Sequence, residues 1–167
     1  MGIDFYENSI LPWAGIIIKI CRAYTNSQEE FEDYYQEVCL QIWRSREAFA
    51  KQSNWSTWIY RVALNVCMTN SRTRSRQREQ VATLKQEATI ASAAHIDHAD
   101  DQIEALYRAI RQLRDADRAV ILLYLEEKSY REIAEIIGTN PNNIGVRISR
   151  IKEKLSTLLA EKDSEND

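Results

Sequence analysis

The sequence predicts an all-α protein made of two small helical domains. Three observations carry that expectation. Glycine and proline are scarce, 4 and 2 in 167 residues, too few for the turns of a many-stranded sandwich or barrel. Apolar residues recur at intervals of three and four, the period of an amphipathic helix. That periodicity fades after residue 71 and returns after residue 98. The expected organisation is therefore a helical domain over 1–78, a flexible acidic linker over 79–98 and a second helical domain over 99–160.

Leu11 to Tyr24 reads as the first helix, with Pro12 in its first turn and Ile16, Ile17 and Ile20 on its apolar side. Ser27 to about Arg46 reads as the second. Ser27 and Glu30 fit a capping box, and Phe31, Tyr34, Tyr35, Val38 and Ile42 fit a buried stripe. Ala48 to Asn54 is a polar loop. A third helix starts at Trp55, capped by Ser53 or Asn54, with Trp55, Trp58, Ile59, Val62 and Val66 expected on its buried side. It is expected to run to Ser71 and then fray into the linker. Ile103, Leu106, Ile110 and Leu113 open the second domain. Asp115 is expected to cap the next helix, in which Ala119, Val120, Leu122, Leu123 and Leu125 are mostly buried. Ser129 and Glu132 form a second capping box, Gly138 fits a left-handed helix stop, and Asn140 followed by Pro141 starts a last helix running to about Leu159.

The net charge of −3 is uninformative, but its distribution is not. Ser56 to Arg78 holds Arg61, Arg72, Arg74, Arg76 and Arg78 and no acid, whereas Gln28 to Glu37 holds acids and no base. The stretch 79–104 is acidic and Thr139 to Lys154 basic again. Two basic blocks separated by acidic ones suggest two polyanion contacts and at least one different partner. Cys21, Cys39 and Cys67 are widely spaced within apolar patterns, and no Cys/His spacing suggests zinc, so buried reduced thiols in a cytoplasmic protein are expected. His95 and His98 read as linker residues. No signal peptide is visible, and the apolar run Ala14 to Ile18 is far short of the about 20 residues a membrane span needs. No catalytic triad, phosphate loop or metal cluster is visible, so neither an enzyme nor a cofactor, metal or small-molecule substrate is expected.

The clearest local signal is SYREIAEIIGTNPNNIGVRISRIKEKL, residues 129–155. Two short helices meet at Gly138-Thr139-Asn140, Ala134 is small where they must cross, and Ile133, Ile137, Ile144, Ile148 and Ile151 are expected to face inward. This is helix-turn-helix grammar. The outer side of the second helix offers Asn142, Asn143, Arg147, Ser149, Arg150 and Lys152. Amides and guanidinium groups can pair bidentately with base edges, and lysine suits phosphate. A weaker signal lies in Asn54 to Arg78, where Trp55, Trp58 and Tyr60 interleave with Arg61 and Asn65, a combination suited to unstacked nucleic acid. The segment Glu32 to Val38 presents acids and amides, which suits a partner other than DNA.

These segments resemble sigma factors of bacterial RNA polymerase. EDYYQEV is similar to the EDLVQEV-type signature of sigma region 2, which implies that Asp33, Gln36 and Glu37 dock on the clamp helices of the polymerase β′ subunit, with further contacts to the β subunit. NWSTWIYRVALNV resembles the segment that reads the −10 element. By that resemblance Phe49 to Trp55, including Ser53 and Asn54, captures an unstacked base, while Arg61, Asn65, Arg72, Arg74, Arg76 and Arg78 hold the backbone. Residues 129–155 resemble region 4, which reads the −35 element. The order and spacing match the extracytoplasmic-function group, which keeps regions 2 and 4 only. The resemblance implies a linker near the RNA exit path, an anti-sigma partner and no direct membrane insertion. Two departures concern the −35 surface: Gly145 stands where the family often has Lys or Arg, and Val146 where it has a small polar residue, at positions that face bases in relatives. Gly145 also weakens a helix by about 1 kcal/mol relative to Ala. A third is Arg118, where the family usually has a proline-bearing helix entry. The alternative reading is a stand-alone helix-turn-helix regulator, a dimer whose first half senses a ligand. Segment Glu32 to Val38 has no obvious job in such a protein.

Overall fold

The computed structural model describes residues 2–49, 53–84 and 101–165, and every regular element among them is helical. The chain divides into two compact units, residues 1–96 and 97–167. The linker expected over 79–98 lies mostly outside the described residues, as do His95 and His98.

In the first unit a helical lead, irregular in pitch, precedes α1. It consists of an α-turn at Ile3–Phe5, a π-turn at Tyr6–Ile10 and a 3-10 turn at Leu11–Trp13. Two of its hydrogen-bonding groups tie it to the helices that follow. The Tyr6 hydroxyl lies 2.9 Å from that of Tyr35, and the Trp55 indole N–H donates to the Ser9 carbonyl at 2.9 Å. Three helices follow: α1 (Ala14–Ala23), α2 (Gln28–Ser45) and α3 (Trp55–Leu84), with all three packed against one another. Thr25, fully buried just after α1, donates its hydroxyl to the Cys21 carbonyl and so satisfies itself and the helix end. Ser27 caps α2 through the Glu30 N–H at 3.2 Å. The reciprocal half of the expected box is displaced by one residue: the Glu30 carboxylate accepts from the Asn26 N–H.

α3 differs from expectation in phase and length. Its buried residues are Ile59, Tyr60, Ala63, Leu64 and Cys67, while Val62 and Val66 are only half-buried and line an open groove beside Glu37 and Gln41. The small residues Ala63 and Cys67 sit inside where α3 must approach α1 and α2; Cys67 Sγ sits 3.8 Å from Cys21 Sγ. The helix continues past Ser71 to Leu84.

The second unit is built from α4 (Asp101–Arg111), α5 (Asp115–Leu125), α6 (Tyr130–Ile137) and α7 (Pro141–Glu165). α7 runs beyond the expected end at Leu159 and packs on the other three. The core is almost wholly aliphatic: Ile110, Leu113, Val120, Leu123, Ile133, Ile144, Ile148 and Ile151 are each at most 3% exposed. Full burial of such a side chain is worth about 1.5–3 kcal/mol. Ile103 and Leu125 were expected inside but are exposed, because one lies in the first turn of α4 and the other is the last residue of α5, where the chain leaves the core. Ile136 takes the buried place expected of Ile137, which is half-buried.

Asp115 does not cap α5. The residue before the helix is Arg114, which makes no side-chain cap, and Asp115 sits in the first turn beside Arg118. Arg118 explains this unusual entry. Its guanidinium donates to the Leu113 carbonyl at 2.9 Å and to the Arg111 carbonyl at 2.6 Å, tying the start of α5 to the end of α4. α5 ends with Glu127 in the left-handed region, φ 60°. The N–H groups of Glu127 and Lys128 bond back to Tyr124 and Leu123, a Schellman closure without glycine.

Candidate nucleic-acid interface

The turn between α6 and α7 follows the expected chemistry atom by atom. Ser129 Oγ accepts from the Glu132 N–H at 3.1 Å, and the Glu132 carboxylate accepts from the Ser129 N–H at 2.8 Å. That second bond holds the Glu132 carboxyl below its ordinary value. Gly138 has φ 84°, and its N–H and that of Thr139 both return to the Ala134 carbonyl. Asn140 Oδ1 accepts from the Asn142 N–H at 2.9 Å, and Pro141 starts α7. Both helix ends are thus satisfied without help from neighbours, which fixes the angle at which α7 leaves.

Along α7, Ile144, Ile148, Ile151 and Leu155 face the core. Asn142, Asn143, Val146, Ser149, Arg150 and Lys152 are exposed. Arg147 and Gly145 flank this surface, half-buried. Arg147 is held by Asp117 at 2.8 Å. Lys152 donates to the Tyr124 hydroxyl at 2.6 Å with its ammonium 4.3 Å from that ring centre, and the hydroxyl raises its pKa. A Cβ at Gly145 would meet the Tyr130 ring at 3.3 Å, so the aromatic occupies the space a side chain there would need. Asp117, Tyr124 and Tyr130 thus frame the surface, and none was foreseen. Their partners are distant in sequence, and nothing local signals the pairing.

In the first unit the alternating arginines of α3 separate into two stripes, since residues two apart point about 200° away from each other. Arg74 pairs with Glu30 at 2.7 Å and Asp33 at 3.5 Å, and lies over the Tyr34 ring. Arg78 donates to the same Glu30 carboxylate at 3.0 Å. Arg72 and Arg76 are exposed on another side, and together with Arg61 and Asn65 they follow at intervals of four and seven along one side of α3. Glu30, overlooked in the sequence except as a cap, therefore anchors half of the basic run. Asp33 and Gln36 are exposed on α2, and Glu37 forms a 3.8 Å pair with Arg44.

The loop before α3 is backed by packed aromatics. Trp55 and Trp58 lie 4.8 Å apart between ring centres, Phe49 lies 5.1 Å from Trp55, and Phe5 packs edge-on against Trp43 at 5.0 Å. Ser53 is half-buried and Asn54 exposed, while residues 50–52 of the expected base-capturing loop lie outside the described residues. The Trp55 indole N–H is engaged by the Ser9 carbonyl. No described helix is long and apolar enough to cross a membrane.

Comparison with known proteins assigns segments of both units to one family. Residues 11–77 match the family described as Sigma-70 region 2, and residues 103–155 match Sigma-70, region 4. The chain is 32% identical over 135 residues to the RNA polymerase sigma factor CarQ of Myxococcus xanthus, covering 80% of this chain and 77% of that protein. It is 26% identical over 170 residues to the ECF RNA polymerase sigma factor SigW of Bacillus subtilis, covering 94% and 86%. The ECF RNA polymerase sigma factor SigG of Mycobacterium tuberculosis is also 26% identical, over 88% of this chain, but the chain spans only 46% of SigG. Among solved structures, the sigma factor RpoE of Bartonella quintana, in complex with the anti-sigma factor NepR, shares the fold with a TM-score of 0.73 at 21% identity, over 95% of this chain and 98% of that one.

Proposed function

The chain belongs to the sigma-70 family of RNA polymerase sigma factors, in its extracytoplasmic-function group, and from that premise we propose that it directs core RNA polymerase to promoters by reading a −10 and a −35 element. The observation that carries this reading is the pairing, in one chain, of a fully capped helix-turn-helix with a basic stripe beside an acidic helix in the other unit. α7 enters the major groove of the −35 element, with Asn142, Asn143, Ser149 and Arg150 toward base edges and Lys152 toward phosphate. In the first unit Arg61, Asn65, Arg72 and Arg76 follow the DNA backbone at the −10 element, and Ser53, Asn54 and the aromatic floor receive an unstacked base. Arg74 and Arg78, tied to Glu30, hold α3 against α2.

On α2, Asp33, Gln36 and Glu37 dock on the β′ clamp helices. A charged protein surface that repels DNA and attracts a basic partner is what separates this reading from the stand-alone regulator. The cytoplasm, where polymerase and promoter DNA reside, is the compartment of action. An anti-sigma protein is the proposed regulatory partner, by analogy with the solved complex of the structural relative.

The test is co-purification with core polymerase and promoter-directed transcription, comparing the native chain with Asp33→Arg/Glu37→Arg. The double variant is expected to lose polymerase binding and transcription while circular dichroism and thermal midpoint stay close to native. Undiminished binding by the folded variant would refute the docking role. A dimer that binds a palindrome tightly without polymerase would restore the stand-alone alternative.

A further inference from the structure

We propose that Val146 reads the 5-methyl group of a thymine in the −35 element, so that this chain demands an A·T pair of one orientation at the centre of the surface that α7 presents. The inference rests on α7 being the DNA-reading helix and goes further by naming the chemical group it reads and the residue that reads it.

Val146 is 53% exposed. At about 100° per residue it lies two residues, roughly 200°, from the fully buried Ile144, on the side opposite the core. Asn142 and Asn143 stand four and three residues before it, and Ser149 and Arg150 three and four after it, so all share its face. An apolar, branched side chain thus occupies the middle of a surface whose other members all donate hydrogen bonds. Val146 can make none, and a base edge opposite it that offered a donor or acceptor would be left unpaired on desolvation.

The flank beside Val146 is apolar as well. Gly145 contributes only backbone, and the Tyr130 ring stands 3.3 Å from where a Cβ would be, itself 46% exposed. The neighbouring cations are drawn aside, Lys152 to Tyr124 and Arg147 to Asp117. Arg150, one turn further along the same face, is the cation left to reach a neighbouring base pair. In the major groove the one apolar group on any base edge is the thymine methyl. The amides of Asn142 and Asn143, one turn earlier, have the donor–acceptor pair that matches adenine, so an adjoining A·T pair fits the same face.

The experiment uses the full chain assembled with core polymerase. The −35 sequence preferred by this holoenzyme is first selected from a randomised pool. Each thymine in it is then replaced by deoxyuridine, which removes only the methyl. One position is expected to lose about fourfold in affinity, the worth of burying one such carbon, and the others much less. With Val146→Ser that difference disappears, whereas Arg150→Ala keeps it while relaxing discrimination at another position. Placing 5-methylcytosine instead of cytosine at the sensitive position restores part of the lost binding to the native chain only. The proposal is overturned if no thymine is sensitive to its methyl, or if the sensitivity survives unchanged in Val146→Ser. A holoenzyme that forms but selects no −35 sequence at all would instead remove the DNA-reading role of α7 on which the proposal rests.

Discussion

The thiol of Cys39 is pushed up to about 11, first by burial and then by the neighbouring Cys21. That of Cys67 is raised well above its ordinary value by its contact with Cys21 and by its complete burial. Only a thiolate attacks disulfide reagents at a useful rate, so these groups are protected twice, by access and by protonation. Cys39 and Cys67 on both grounds, and Cys21 by its burial, are expected to resist an aromatic disulfide reagent at mildly alkaline pH and to react only as fast as the first unit unfolds. Labelling followed with and without denaturant measures this; one cysteine reacting in the folded chain at the rate of a free thiol would contradict it. That these side chains are buried was legible from the apolar patterns around them. That Cys21 and Cys67 touch was not, because residues that far apart meet only when α1 and α3 pack. The same limit hid Asp117 behind Arg147, and it hid the role of Glu30, whose place in a cap was clear but whose two arginine partners were not.

The helix ends around the Ser129–Pro141 turn were the most legible because their chemistry is local, whereas Asp115, expected as a cap, is not one, and α3 and α7 run past their expected ends. Ser129, Gly138, Asn140 and Pro141 each do what their side chains or ring dictate. The phase of α3 was harder to read. A hydropathy pattern ranks Val62 and Val66 above Ala63 and Cys67, yet a helix crossing two others closely needs the small residues inside. Within the lead, Leu11–Trp13, expected as the first turn of α1, is a 3-10 turn, and the part before Leu11 escaped notice because its π-turn breaks the period that marks a helix. Two predictions belong at this scale. Glu127 holds a left-handed conformation that costs an L-residue about 1–2 kcal/mol, so Glu127→Gly is expected to raise stability by about 1 kcal/mol, whereas Gly138→Ala, at φ 84°, is expected to lower it by a similar amount. Denaturant midpoints of the two variants measure this; a Glu127→Gly chain less stable than native would show that its side chain matters more than its backbone. The second concerns pH. The Glu132 carboxyl is held below its ordinary value by the Ser129 N–H, so the unfolded chain binds the extra proton first as pH falls. The stabilisation from this cap is complete above the ordinary glutamate range and is lost as pH drops through the lowered value. Glu132→Gln should therefore be less stable than native at neutral pH, with the gap closing in acid. A gap independent of pH would mean that the carboxylate charge plays no part.

At the scale of the whole molecule, the groups proposed to read DNA are divided between two units, each with a surface too small for tight specific binding alone. The basic stripe of α3 and the face of α7 each offer a handful of phosphate and base contacts. Two weak contacts on one chain add up only if both reach their sites together, and the effective concentration of the second depends on how well the separation is held. On the proposed reading, core polymerase, gripped through Asp33, Gln36 and Glu37, is the agent that can hold it. The isolated chain is therefore expected to bind promoter and non-promoter DNA about equally and weakly, with affinity falling steeply as salt rises, since its contacts are mainly to phosphate. Assembled with core, it is expected to discriminate promoter from non-promoter DNA. That discrimination should fall when the spacer between the −35 and −10 elements is lengthened or shortened by two base pairs, a change to which the isolated chain is blind. Gel shifts and footprints on a spacer series, run with and without core, separate the two regimes. Tight, spacer-sensitive and sequence-specific binding by the isolated chain at physiological salt would mean that the two units hold their own spacing, and core polymerase would then not be the ruler between them.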